Sequence, residues 1–307
     1  MGRFGVPCER NENPIFTNHI TDLNRIETIA PPGSVSDETI VQHSYIFIRQ
    51  GGPVRGVPVY APVDSELVNV TWYGEGGEEQ YLLTFQVSCE VWIRLDHVNE
   101  PVEAIQAVQP ATLGIDTRDG ARVSPAVQFE AGELIGYSSG GVWDFGVYNT
   151  SRPNVFANPA RTQRTAQVKY GDCPYDYFAE PLKGQYYALL NIGACRLTSV
   201  DIPGTIVGEW FSQPPEADPE AFGTLAIGQA TTQVDRLDIG ALDFRFEVEP
   251  PYVDPASVNA QHCYQGTLNS QRGYVYLKLL DELTLAEAHG AGTCPAQLPQ
   301  TQTVYYR

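Results

Sequence analysis

The chain is expected to be mainly β. Three observations point there: short apolar runs alternate with a period of two, helical periodicity is scarce, and Gly, Pro and Asn clusters interrupt the sequence at short intervals. At 307 residues it is long enough for two domains. The expected division is an irregular N-terminal arm over 1–35, a β domain over 36–200, and a small β-barrel or sandwich over 201–307.

The arm is rich in Pro and Asn and has no long periodic segment. From about residue 40 the pattern becomes β. "SELVNVTWY" places Val68, Val70 and Trp72 on one face, "LLTFQVS" does so for Leu83, Phe85 and Val87, and "EVWIRLDHV" for Val91, Ile93 and Leu95. The turn "GEGGEE" separates the first two strands. "PYDYFAEPLKGQYYALL" suits a short helix whose length Pro181 limits. Near Asp201 a second series begins with "GTIVGEWF", "TLAIGQA", "DFRFEVE", "HCYQGTL" and "GYVYLKLLDELTLAEA", with "FSQPPEADPEAF" as a surface loop inside it. Gly208, Glu209 and Trp210 form a G-x-W signature, for which a core Trp is the simplest role.

A net charge of -18 and the lack of a basic stripe with interleaved aromatics count against nucleic acid as a partner. No apolar run approaches the ~20 residues of a membrane span, and "MGRFGVPCERNENP" has no apolar core of the kind a signal peptide carries. Six cysteines and the acidity favour an exported protein, secreted, periplasmic or at the cell surface; a cytosolic chain with six thiols is the alternative. Cys263 and Cys294 are expected to pair, because they flank strands whose return path brings them together. Cys173 and Cys195 are the next pair, leaving Cys8 and Cys89.

Two polar residues interrupt apolar strands. His97 continues the alternation of Val91, Ile93 and Leu95, which puts it at a core boundary or in a groove, with Trp92, Arg94 and Asp96 facing the other way. Asp144 shares a face with Val142 and Gly146, opposite Trp143, Phe145 and Val147. A carboxylate there must be paired, solvated in a groove, or holding something, because burying it alone costs several kcal/mol.

"VPVYAPVDSELVNV", a central strand ending in "DHV", and "EAGELIGYSSGGVWDFGVY" follow one another as in a known family. Over residues 40–150 the chain resembles the lysostaphin-type zinc metalloendopeptidases, which cut peptidoglycan cross-bridges on a duplicated-hybrid-motif β-sheet. The resemblance implies zinc held by the His and Asp of H-x-x-x-D and the second His of H-x-H, with the first His of H-x-H and the central-strand histidine assisting. Here His43 matches the first ligand, but Phe47 stands where the aspartate belongs. In "VWDFGV", Val142 replaces a catalytic histidine and Asp144 replaces a ligand, so His43, His97 and Asp144 are the remnants.

Zinc needs three protein donors and an open position, and His43 with Asp144 supplies two. The expectation is therefore a non-catalytic, peptidase-like protein with a binding or structural role at the cell envelope, needing no cofactor, its partner a cell-wall glycan or peptide. Two alternatives stand beside it: an active zinc endopeptidase with a rearranged site, and a scaffold with no small ligand.

Overall fold

The structure is a computed structural model that describes residues 3–33, 35–36, 39–49, 56–114, 120–162, 166–190, 193–195, 202–215, 225–229, 237–241, 245–250 and 253–307. The chain divides into two compact units. The first comprises Met1–Pro31, His43–Arg152 and Asp172–Cys195; the second comprises Pro32–Gln42, Pro153–Gly171 and Arg196–Arg307. The boundary expected near residue 200 falls on 196–201, outside the described residues, as does part of the Pro-rich loop. Two earlier stretches, Pro32–Gln42 and Pro153–Gly171, cluster with the second unit because they carry its satellite core, in which Ile40 and Phe156 pack with Ala226.

The strands of the first unit are β1 (Ile26–Ala30), β2 (Ser44–Ile48), β3 (Val57–Tyr60), β4 (Ser65–Glu75), β5 (Glu78–Gln86), β6 (Val91–Val98), β7 (Glu100–Pro101), β8 (Ala121–Phe129), β9 (Leu134–Ser138) and β10 (Val142–Asn149). The main sheet runs β1-β2-β10-β6-β5-β4-β8, with antiparallel neighbours. A smaller sheet runs β3-β9-β7. The expected arm is not a separate element. Ile26–Ala30 is an edge strand of the main sheet, and Phe16 and Ile20 are fully buried in its core. Phe16 stacks on Tyr177 at 5.4 Å and meets Phe178 edge-on at 5.3 Å. The expected helix splits into a 3-10 turn at Pro174–Tyr177 and a helix at Leu182–Tyr187, with Pro181 capping the latter.

Two strands depart from simple alternation. The β4–β5 register shifts between Leu67 and Asn69, so Leu67 joins Val70 in the core and Val68 leaves that face. On β6, Val91, Ile93 and Leu95 are core residues as expected, but the next core residue is Val98. His97 has φ +62, a left-handed backbone that shifts the strand phase by one position. The placement of His97 on the apolar face is therefore corrected.

The second unit's main sheet is β11 (Gly208–Trp210), β12 (Leu225–Gln229), β13 (Leu237–Ala241), β14 (Arg245–Val248), β15 (Gln261–Leu268), β16 (Gln271–Asp281), β17 (Thr284–Ala291) and β18 (Thr303–Tyr306). Each strand pairs with the next in antiparallel order. Phe211 and Tyr306 exchange two backbone hydrogen bonds of 2.8 Å, which join the ends of the meander and close it into a barrel rather than a sandwich. Trp210 is fully buried inside, its indole N–H donating to the Ile206 carbonyl, and the Arg307 guanidinium lies 4.3 Å from its ring centroid. Disulfides join Cys8 to Cys89, Cys173 to Cys195 and Cys263 to Cys294.

Candidate functional site

The face of the main sheet turned away from its apolar core carries the site. On β10, Trp143, Phe145 and Val147 are core residues, which sends Asp144 to the opposite face. Asp144 is paired with Tyr45 of β2 on one side and with Asp96 of β6 on the other. His43 lies just before β2, its ring edge-on to Tyr45 at 5.1 Å. The phase slip at His97 then lets two successive residues of β6 face the same place. Asp96, His97 and Asp144 each bring one donor atom within 4.8 Å of the others.

Asp144 is 7% exposed and is held between two imidazoles. His43 Nε2 lies 3.0 Å and His97 Nε2 3.5 Å from Asp144 Oδ2. The His43 contact is close but not aligned as a hydrogen bond, and Asp144 Oδ1 is buried with no hydrogen-bond partner. The partners of this carboxylate are histidine side chains, which meets the requirement that a carboxylate among apolar neighbours be paired.

A second layer orients the histidine. His97 Nδ1 faces the Gln80 side-chain carbonyl oxygen, and Glu75 Oε2 is 3.6 Å from the same nitrogen. Because Gln80 Oε1 only accepts, Nδ1 carries the proton there and Nε2 is the nitrogen turned to Asp144. Tyr73 donates its hydroxyl to Asp96 Oδ1 at 2.7 Å, and the His97 backbone N–H donates to the same oxygen at 2.9 Å.

The electrostatics follow from this packing. Burial opposes charge on His97, but the hydrogen bond to Asp144 and the negative charges of Asp144, Asp96 and Glu75 outweigh it and raise its pKa to about 9. Burial likewise opposes ionisation of Asp144, yet the contacts with His43 and His97 outweigh it and lower its pKa to about 2. Asp96 is pushed up, by burial first and by the charge of Asp144, with His97 and the Tyr73 hydrogen bond pulling the other way.

The structure thus brings His43, His97 and Asp144 together. Phe47 and Val142, paired across β2 and β10, put apolar side chains at one ligand position and one assisting-histidine position of the implied site. Sequence reasoning missed Asp96, Tyr73 and Gln80. The available signal was the spacing of apolar residues 91, 93, 95 and 98, which marks a slipped phase at the polar pair Asp96-His97.

A divalent cation fits a different donor set from the implied one. Asp96, His97 and Asp144 give three nitrogen or oxygen donors, His43 stands next to Asp144, and Asp144 Oδ1 is a buried acceptor without a donor.

The class that fold and site define is a mainly β protein carrying an Asp-His cluster on an open sheet face, followed by a closed barrel. No family model matches the chain, and no curated protein matches it. Among solved structures it is similar to the NMR solution structure of lysostaphin, at 11% identity over 94% of this chain and 91% of that one, with a TM-score of 0.29. At that score the likeness carries no weight for fold or function.

Proposed function

We propose that the first unit is a peptidoglycan-endopeptidase-like domain without hydrolytic activity, serving an exported protein in binding or structure at the cell envelope. One observation carries this reading: Asp144 is enclosed between two histidine rings while Phe47 and Val142 occupy neighbouring positions on the same face. Valine can neither hold a metal nor move a proton, so the water-activating histidine of the family has no counterpart at that position. Three disulfides support an oxidising compartment. The test is co-sedimentation of the full chain with purified peptidoglycan, combined with a turbidity assay. Retention without clearing is expected; clearing, or no retention, defeats the reading.

A second reading is favoured by Asp96. An active zinc endopeptidase lacked a donor in the sequence, and Asp96 supplies one within reach of His97 and Asp144. In that case Asp96, His97 and Asp144 would hold the zinc and leave a position open, where the metal would acidify a bound water and polarise the scissile carbonyl. Stoichiometric zinc after chelator-free purification, together with clearing that a chelator abolishes, would select it.

A further inference from the structure

The first unit contains a second concavity, unrelated to the histidine cluster. It is a cavity of about 520 Å³, within the usual size range of small-ligand sites, between the start of β5 and the smaller sheet. It lies on the other side of β5 from the cluster. Gln80 turns toward His97, whereas its neighbour Tyr81 turns to the core face and lines the cavity.

The wall chemistry defines the ligand. Tyr81 and Tyr137 contribute rings, and Tyr81 is fixed by its hydroxyl bond to Gln109 at 2.6 Å and by stacking on Trp72. Pro101 and Leu134 form an apolar floor. Glu79, Glu100 and Glu103 contribute three carboxylates, of which Glu79 also accepts from the Trp72 indole N–H at 3.2 Å, and no Lys, Arg or His lines the cavity among the described residues. An anion would meet carboxylates without a compensating cation, in a chain whose net charge is -18. A neutral apolar ligand would leave the carboxylates unused. A cationic head on an apolar stem uses every part of the wall: the stem covers Pro101 and Leu134, the rings meet the stem and the edge of the charge, and the carboxylates pair with the head.

We propose that this cavity binds a primary alkylammonium group, such as the side chain of a lysine or the end of a diamine. The proposal is independent of the envelope reading, since it uses none of the histidine-site residues.

The experiment is an amide NMR titration of the full chain with 1,5-diaminopentane, with 1-pentanol as the uncharged comparison. Saturable shifts confined to residues 79–81, 99–106 and 134–137 are expected. The variant Glu79→Gln with Glu103→Gln keeps both rim side chains polar and exposed, and should weaken binding by about five- to tenfold, as loss of two partly exposed ion pairs implies. Asp144→Asn should leave the titration unchanged. The proposal is overturned if no saturable shift appears, if shifts centre on Asp144, if 1-pentanol binds as tightly as the diamine, or if the double variant binds like the parent.

Discussion

Replacing Asp144 by Asn tests the charge balance of the cluster with almost no change in shape. The pKa of His97 rises from 6.5 to about 9, which at about 1.36 kcal/mol per pH unit corresponds to about 3.4 kcal/mol of preference for the charged ring in the folded state. That figure is what remains of the carboxylates' attraction after the cost of burying the charged ring, and Asp144, Asp96 and Glu75 share the attraction. The sign is set by the direction. A raised pKa stabilises the fold fully below 6.5, and the contribution is lost as pH rises through about 9. Asp144 works at the other end: with its pKa lowered from 3.8 to about 2, its contribution is present above 3.8 and is lost as pH falls through about 2. In Asp144→Asn the hydrogen bond and the nearest negative charge on His97 both go, so its pKa should fall by at least one pH unit, worth about 1.4 kcal/mol. The loss of stability between pH 6.5 and 9 should flatten accordingly. Ring NMR titration of His97 and urea unfolding across that range measure both quantities. If His97 in the variant titrates within a few tenths of a unit of the parent, Asp144 does not govern the site and the reasoning fails.

Two further outcomes are expected. Tyr73→Phe removes the donor to Asp96 Oδ1 and should cost about 1–3 kcal/mol in urea unfolding while raising the Asp96 pKa further; an unchanged midpoint would show that water replaces the hydroxyl without loss. Cys8→Ser with Cys89→Ser opens a loop with a sequence separation of 81, for which the chain-entropy relation gives about 4.5 kcal/mol, and a stability loss below about 1 kcal/mol in denaturant titration would contradict it.

Much of the β character was legible because period-two alternation is a local property of the chain. The strands around Leu83, Phe85, Ile93, Phe145 and Val147 bury the residues that alternation selects. What sequence could not show was where alternation slips. The bulge after Leu67 and the left-handed turn of backbone at His97 each move the phase by one residue, and neither leaves a glycine or proline at the point of the slip. The second slip hid Asp96, which strict alternation places away from His97. The choice between barrel and sandwich rested on the Phe211–Tyr306 pairing, a contact between distant segments that no local pattern encodes. The assignment of Pro32–Gln42 and Pro153–Gly171 to the second unit is hidden for the same reason.

The closed meander also orders the barrel's assembly in time. Pairings between successive strands, such as β15–β16 and β16–β17, link residues close along the chain, so their loops close at small entropic cost and they can form early. The seam between Phe211 and Tyr306 joins opposite ends of the block and must wait until the strands between have curved into place. A variant weakened only at that seam should therefore fold at nearly the parent's rate and unfold faster, placing the seam's cost on the lifetime of the folded barrel rather than on its formation.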